Sequence, residues 1–156
     1  MPGSIPRFET GPKTYEAKSN IAGAQVVQYA TGTPTQPGLS LVEPAAADSF
    51  KVAGVATTDA VAAVNQDALK YGTSGDGYPF VNVAVPSESV AVGKRGEWPL
   101  KYSAAANYGD PVKAGALGTV VPAAAADYAA GLVIGRCQAQ AGVASGAFGD
   151  TWINVN

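Results

Sequence analysis

"LVEPAAAD" at residues 41–48 and "VVPAAAAD" at residues 120–127 are nearly the same phrase. Each opens on apolar residues, passes through a proline and a short run of alanines, and ends on an aspartate. Each is followed by an apolar stretch that holds a glycine, "FKVAGVA" (50–56) after the first and "LVIGRC" (132–137) after the second. Alanine is the best helix former, yet such a run falls far short of the roughly 12–15 residues an isolated helix needs to offset nucleation. The phrase therefore reads as strand, tight connection, strand. "PAAAAD" holds at most one helical turn, begun by Pro122 at the first helical position. Two copies at an offset of about 79 residues imply two related β-units. The alternative reading is a chance match in an alanine-rich chain.

The rest of the chain has the same rhythm. Its 19 glycines and 11 prolines break the sequence every few residues, as in short strands joined by turns. "AQVVQY" (24–29), "LSLVE" (39–43) and "FKVAGVA" read as three strands, with "ATGTPTQPG" as the loop between the first two. "FVNVAV" (80–85), "SVAV" (89–92) and "EWPLKYS" (97–103) follow as strands, the last with Trp98, Leu100 and Tyr102 on one face. Pro99 points that strand toward a sheet edge. "DPVKAG", "GTVVP", "LVIGRCQ" and "TWINV" complete the series. One stretch departs from it: Val61, Val64, Ala68 and Tyr71 have helical spacing, with Asp59 as N-cap and Gly72 as stop, which predicts one short helix. Residues 1–20 carry Pro2, Pro6 and Pro12 and few bulky apolar groups, and they read as an extended N-terminal arm. The expected architecture is all-β and mainly antiparallel. One β-rich domain spans 21–156, with units at about 21–60 and 97–156 around an insertion at 61–96.

Chemistry is excluded more readily than it is found. At 156 residues the chain fits one domain. With no histidine, it lacks the commonest general base at neutral pH and the commonest metal ligand. "GTSGDG" (72–77) lacks the lysine and following helix of a phosphate loop, and Asp67 and Asp76 lack the spacing of a calcium loop. The serines have no base nearby in sequence and no nucleophile elbow. Glu88 and Glu97 read as exposed acids. Cys137 is the sole cysteine and reads as a small buried apolar residue. No catalytic residue, metal site or cofactor is expected. The balance of 10 basic against 12 acidic residues offers neither a basic stripe for nucleic acid nor a basic amphipathic helix for a membrane surface. The N-terminus has no apolar leader, and no run approaches the roughly 20 residues of a membrane span. The chain thus reads as soluble and unprocessed.

Aromatic residues remain. Trp98 and Trp152 read as core or subunit-interface residues, and Tyr102, which shares the face of Trp98, as a candidate subunit-interface residue with them. Ile5, Pro6, Phe8 and Tyr15 lie in a segment too poor in apolar content to fold alone, so they suggest ordering on a partner by strand addition or pocket insertion.

Three stretches, "KVAGVATTDA" (51–60), "VAVGKRGEWPLKYSAAANYGDPVKAGALGTVVPAAA" (90–125) and "LVIGRCQAQAGVASGAFGDTWINV" (132–155), resemble the capsid decoration, or cement, proteins of tailed DNA phages. A strand ending in "GVA", a "GD.V.A...G.V" hairpin and an "IG" strand closing on a final apolar strand carry the likeness, over roughly 100 of the 156 residues. The "TQPG" loop and "NQDALKYGTSGDGYP" are longer than that pattern. The resemblance implies a compact barrel- or tulip-like β body. It implies assembly, commonly as a homotrimer, on the outer surface of the mature head, with the arm laid on the major capsid protein and neighbouring capsid subunits bridged. Two other readings stand beside it: a tail or baseplate β-module, and a carbohydrate-binding module using Trp98 and Tyr102 as a stacking platform.

Overall fold

Strands of four or five residues expose most of their backbone polar groups at their edges, and closing a sheet on itself removes those edges. The computed structural model, which describes residues 12–62 and 88–155, shows this solution. In the first unit, β1 (Lys13–Ala17), β2 (Val26–Tyr29), β3 (Leu41–Pro44), β4 (Val52–Ala56) and β5 (Ser89–Gly93) form a closed barrel in the order β1-β3-β2-β4-β5. The β1–β3 pair is parallel and the others are antiparallel. Its interior is filled by Tyr15, Ala17, Val27, Val42, Ala53, Ala56, Val90 and Val92.

The second unit repeats this topology strand for strand. It comprises β6 (Arg95–Lys101), β7 (Pro111–Ala114), a 3-10 turn at Ala116–Gly118, β8 (Val120–Pro122), helix α1 (Ala125–Ala129), β9 (Val133–Cys137) and β10 (Phe148–Asn154). The sheet order is β6-β10-β9-β7-β8, and a parallel bridge from Tyr102 to Val120 joins its two ends. That bridge stands where Ala17 pairs with Val42 in the first barrel. The registers coincide as well. Val27 pairs with Pro44 on one side and Gly54 on the other, and Val112 likewise with Pro122 and Gly135. The next pairs, Gln28 with Val52 and Lys113 with Val133, step over Ala53 and Ile134, so both barrels carry one bulge at one place. A bulge sharpens the local bend and twist, which a sheet of five strands needs in order to close. Even the loops agree: the bridge Ile21 to Ala60 matches Ala106 to Val143. The repeated phrase is therefore a true structural repeat, aligned on Pro44 and Pro122.

At the bulge the strands approach so closely that a side chain has no room. A Cβ on Gly54 would overlap the Gly93 carbonyl oxygen, and one on Gly135 would overlap that of Trp152, at equivalent points of the two barrels. Gly54 also has φ +148°, a conformation essentially reserved for glycine.

Several expectations change. Lys13–Ala17 is not arm but barrel strand β1, and Tyr15 is 1% exposed in the first core. Its burial arises because β3 and β5 flank the strand on both sides, which no local pattern reveals. Ile5, Pro6 and Phe8 lie outside the described residues. The supposed insertion at 61–96 contains β5 and the start of β6, and so is partly barrel wall; residues 63–87, with most of the expected helix and the "FVNVAV" strand, lie outside the described residues. Asp59 caps no helix; its carboxylate accepts from the Gly23 N–H at 2.6 Å. The second phrase does hold the one helical turn allowed for it, but that turn starts at Ala125 rather than at Pro122, because Pro122 still closes β8. The first phrase makes no helix. Pro99 does lie on the end strand of its sheet, and Cys137 is fully buried.

The long loop after β2 is held by a charge. Glu16, 3% exposed, accepts from the Thr35 N–H (2.9 Å), the Thr35 hydroxyl (3.0 Å) and the Gln36 N–H (2.8 Å). Burial pushes this carboxyl up, but the three donors outweigh it and hold the group below its usual range.

Gly54→Ala destabilises the protein by about 2–4 kcal/mol in urea unfolding, through backbone strain and overlap together. Glu16→Gln places an amide donor against existing donors and costs about 1–3 kcal/mol at pH 7. A lowered folded-state value gives stability that is complete above the ordinary carboxylate value of 4.5 and lost as pH falls through the folded one. The gap between wild type and Glu16→Gln therefore closes on acidification below about pH 4.5, as unfolding curves across that range measure.

Candidate interaction surface

A barrel wall has an inner and an outer side, and period-two alternation decides which residues face which. In the first barrel the outer side is itself apolar. Val26, Ala45, Val52 and Val55 are buried in the core cluster of the second barrel, beside Leu100, Tyr102, Val112 and Ile153. Trp98 packs against that cluster and lies over Gly93, where a Cβ would collide with the indole. One outer face of the first barrel is thus an internal interface, and the two barrels form a single packed body.

Polar contacts fix the junction. The Gly118 N–H donates to the Ala45 carbonyl (2.9 Å), and the Asp48 N–H to the Ala114 carbonyl (3.0 Å). The aspartates that end the two copies of the phrase meet on one cation. Lys113 Nζ lies 2.7 Å from Asp48 Oδ1 and 3.1 Å from Asp127 Oδ1. Hydrogen bonding to Asp48, then to Asp127, raises the Lys113 pKa; the Ala124 N–H, then Lys113, lowers that of Asp127. Lys113 is a latch between units that only the repeat brings together.

Because the registers coincide, the same outer face can be located on the second barrel. Val55 pairs with Gly93, and Arg136 with Trp152, so Arg136 and Trp152 stand where the first barrel has Val55 and Gly93. Here the face is open. Trp152 is 45% exposed, and Tyr128 and Tyr108 are 49% and 57% exposed. Arg136 is tied between them: one terminal nitrogen donates to the Gly109 carbonyl (3.1 Å) and the other to the Tyr128 hydroxyl (3.3 Å). Both acceptors are neutral, and no ion pair within the described residues involves Arg136. Glu97 pairs with Trp152 across the other flank.

The other aromatic candidates take different places. Tyr102 is fully buried and shares a 2.7 Å hydrogen bond with Thr151, so it belongs to the core rather than to a subunit interface. A glycan platform of Trp98 and Tyr102 is ruled out by the same burial. Trp98 serves the junction between barrels, and of the three only Trp152 is open to a partner. Tyr108, Tyr128 and Arg136 escaped the sequence reading because no single window contains them. Aligning the two units on Gly54 and Gly135 would have paired Arg136 with Val55. A second opening, a cleft of about 640 Å³, lies between the barrels beside Gln25, with the exposed Leu117 and Phe148 on its lining. Among the described residues, no three His, Cys, Asp or Glu side chains gather to hold a metal ion.

These features define a tandem β module, a closed five-stranded barrel and a topological repeat of it whose end strands meet at a single bridge. No protein-family model matches the chain, and no curated protein matches it. Among solved structures, the fold is similar to the N base of the head fiber gp8.5 in bacteriophage phi29. That likeness has a TM-score of 0.58 and 18% sequence identity, and it covers 90% of this chain and 91% of that one. The two share a fold along nearly their full lengths.

Lys113→Met leaves two carboxylates without their shared cation, and we expect a lower Tm at pH 7. The stabilisation from Asp127 is complete above its ordinary value near 3.8 and lost as pH falls through its lowered one. That from Lys113 is complete below about 10.5 and lost as pH rises through its raised value. The Tm gap between wild type and Lys113→Met therefore narrows at both extremes, which a thermal denaturation series across pH would register.

Proposed function

We propose that this chain is a non-catalytic structural component of a tailed-phage head, seated on the outer surface of the shell and bound to the major capsid protein. The observation that carries the reading is the near full-length likeness of its double barrel to the base of a head fiber. A base is the part of a fiber that would meet the shell. The physics suits that role: a closed barrel packed against a second five-stranded unit, whose end strands meet at the Tyr102–Val120 bridge, makes a stiff block with little free sheet edge, which resists unwanted pairing. In this reading the protein is a decoration protein that bridges neighbouring capsid subunits and so opposes rupture of the filled shell. Three copies acting together gain avidity through effective concentration, so that each contact can remain small. No cofactor, nucleic acid or membrane has a part in it. Ile5, Pro6 and Phe8, which precede β1, are the proposed arm contact with the shell.

Co-sedimentation with expanded heads lacking decoration tests the proposal. The shortened chain for comparison starts at Pro12, since a later start would remove β1 and open the barrel. We expect saturable pelleting of the full chain at a fixed ratio to capsid protein, and weaker pelleting of the shortened one. A folded full chain that pellets with no head at any concentration would refute the head assignment.

A further inference from the structure

An outer barrel face can be compared with its own repeat. On the first barrel the face built on β2, β4 and the end of β5 presents Val26, Val52, Val55 and Gly93, and the second barrel covers it completely. On the second barrel the matching positions are Pro111, Val133, Arg136 and Trp152. Two replacements change its chemistry. A valine that suits a permanent dry contact becomes an arginine, and a glycine that makes room for an indole becomes an indole.

Those changes argue against a third barrel stacking in the same way, since it would bury Arg136 without a counter-charge at a cost of several kcal/mol. They also argue against a face designed only for water, because the exposed Trp152 pairs with the arginine across the strands, the exposed Tyr128 accepts from it, and the exposed Tyr108 precedes Gly109, whose carbonyl also accepts from it. Trp, Tyr and Arg are the residues enriched at the centres of reversible protein interfaces. Arg136 is also held ready. Two of its five N–H donors are used on neutral oxygens, which fixes the guanidinium plane and leaves three donors and the full charge for a partner.

We infer that the outer face of the second barrel, centred on Arg136 and Trp152 and flanked by Tyr108 and Tyr128, docks a carboxylate-bearing protein surface, that of the head shell. The partner's carboxylate completes the guanidinium fork and its apolar surroundings cover the rings. The charge of Arg136, uncompensated within the described residues, selects an acidic partner, and the aromatic rim supplies the desolvated setting in which that pair is strong. This inference rests on the head reading above and adds the face that makes the contact.

The same co-sedimentation assay separates the two. Wild-type binding tests the head reading, and differences among variants test the face. Arg136→Glu and Trp152→Ala lie on the exposed surface, and their Tm values report whether each still folds. We expect Arg136→Glu to weaken head binding at least about thirtyfold and Trp152→Ala at least about tenfold. Arg136→Lys should restore part of the loss. Thr33→Glu, on the exposed loop of the first barrel, should bind as wild type. Wild type that pellets while Arg136→Glu and Trp152→Ala stay within twofold of it overturns the face. So does a wild-type self-association, seen by analytical ultracentrifugation, that Arg136→Glu abolishes while head binding persists, because the occupant is then a second copy. If wild type itself binds no head, the face falls together with the reading on which it rests.

Discussion

Backbone meets backbone without an intervening side chain at Gly54 and again at Gly135, and the tight curvature of both units depends on that contact. A sheet of five strands has a small circumference, so its walls must bend sharply, and each unit achieves this with one bulge beside its glycine. Closure then sets everything outward of it. It buries Tyr15 and Tyr102 inside, turns Val26, Val52 and Val55 outside, and leaves outer faces available for packing.

Repetition of a unit does not imply repetition of its role. The first barrel has spent one outer face on its twin, with Trp98 resting over Gly93 and Lys113 latched to an aspartate from each phrase. The second barrel keeps the same face open and furnishes it with Arg136, Trp152, Tyr108 and Tyr128. The rigid junction matters for either barrel's use as a docking block, since a loosely tethered pair would lose entropy on every contact.

Local grammar was legible wherever it was strong. The alternation in "EWPLKYS" put Leu100 and Tyr102 on one face, which the structure buries, the glycine and proline rhythm announced an all-β chain, and Cys137 read correctly as a buried small residue. Legibility ended where burial came from distant partners. "KTYEA" looked like arm because its few apolar groups cannot make a core alone; β3 and β5 supply that core from beyond it in sequence. The helical turn was expected three residues early, because Pro122 serves equally well as a strand end and as a helix start.

Two related strand-turn-strand units were thus determined by the sequence alone, since turn residues, alternation and a repeated phrase are local properties that every window carries. Which of two equivalent outer faces is covered and which is open was decided only by the tertiary structure. Val55 and Arg136 occupy the same place in the same small barrel, and their fates differ because one barrel happens to lie against the other. That contact joins residues far apart in the chain, and only packing reveals it.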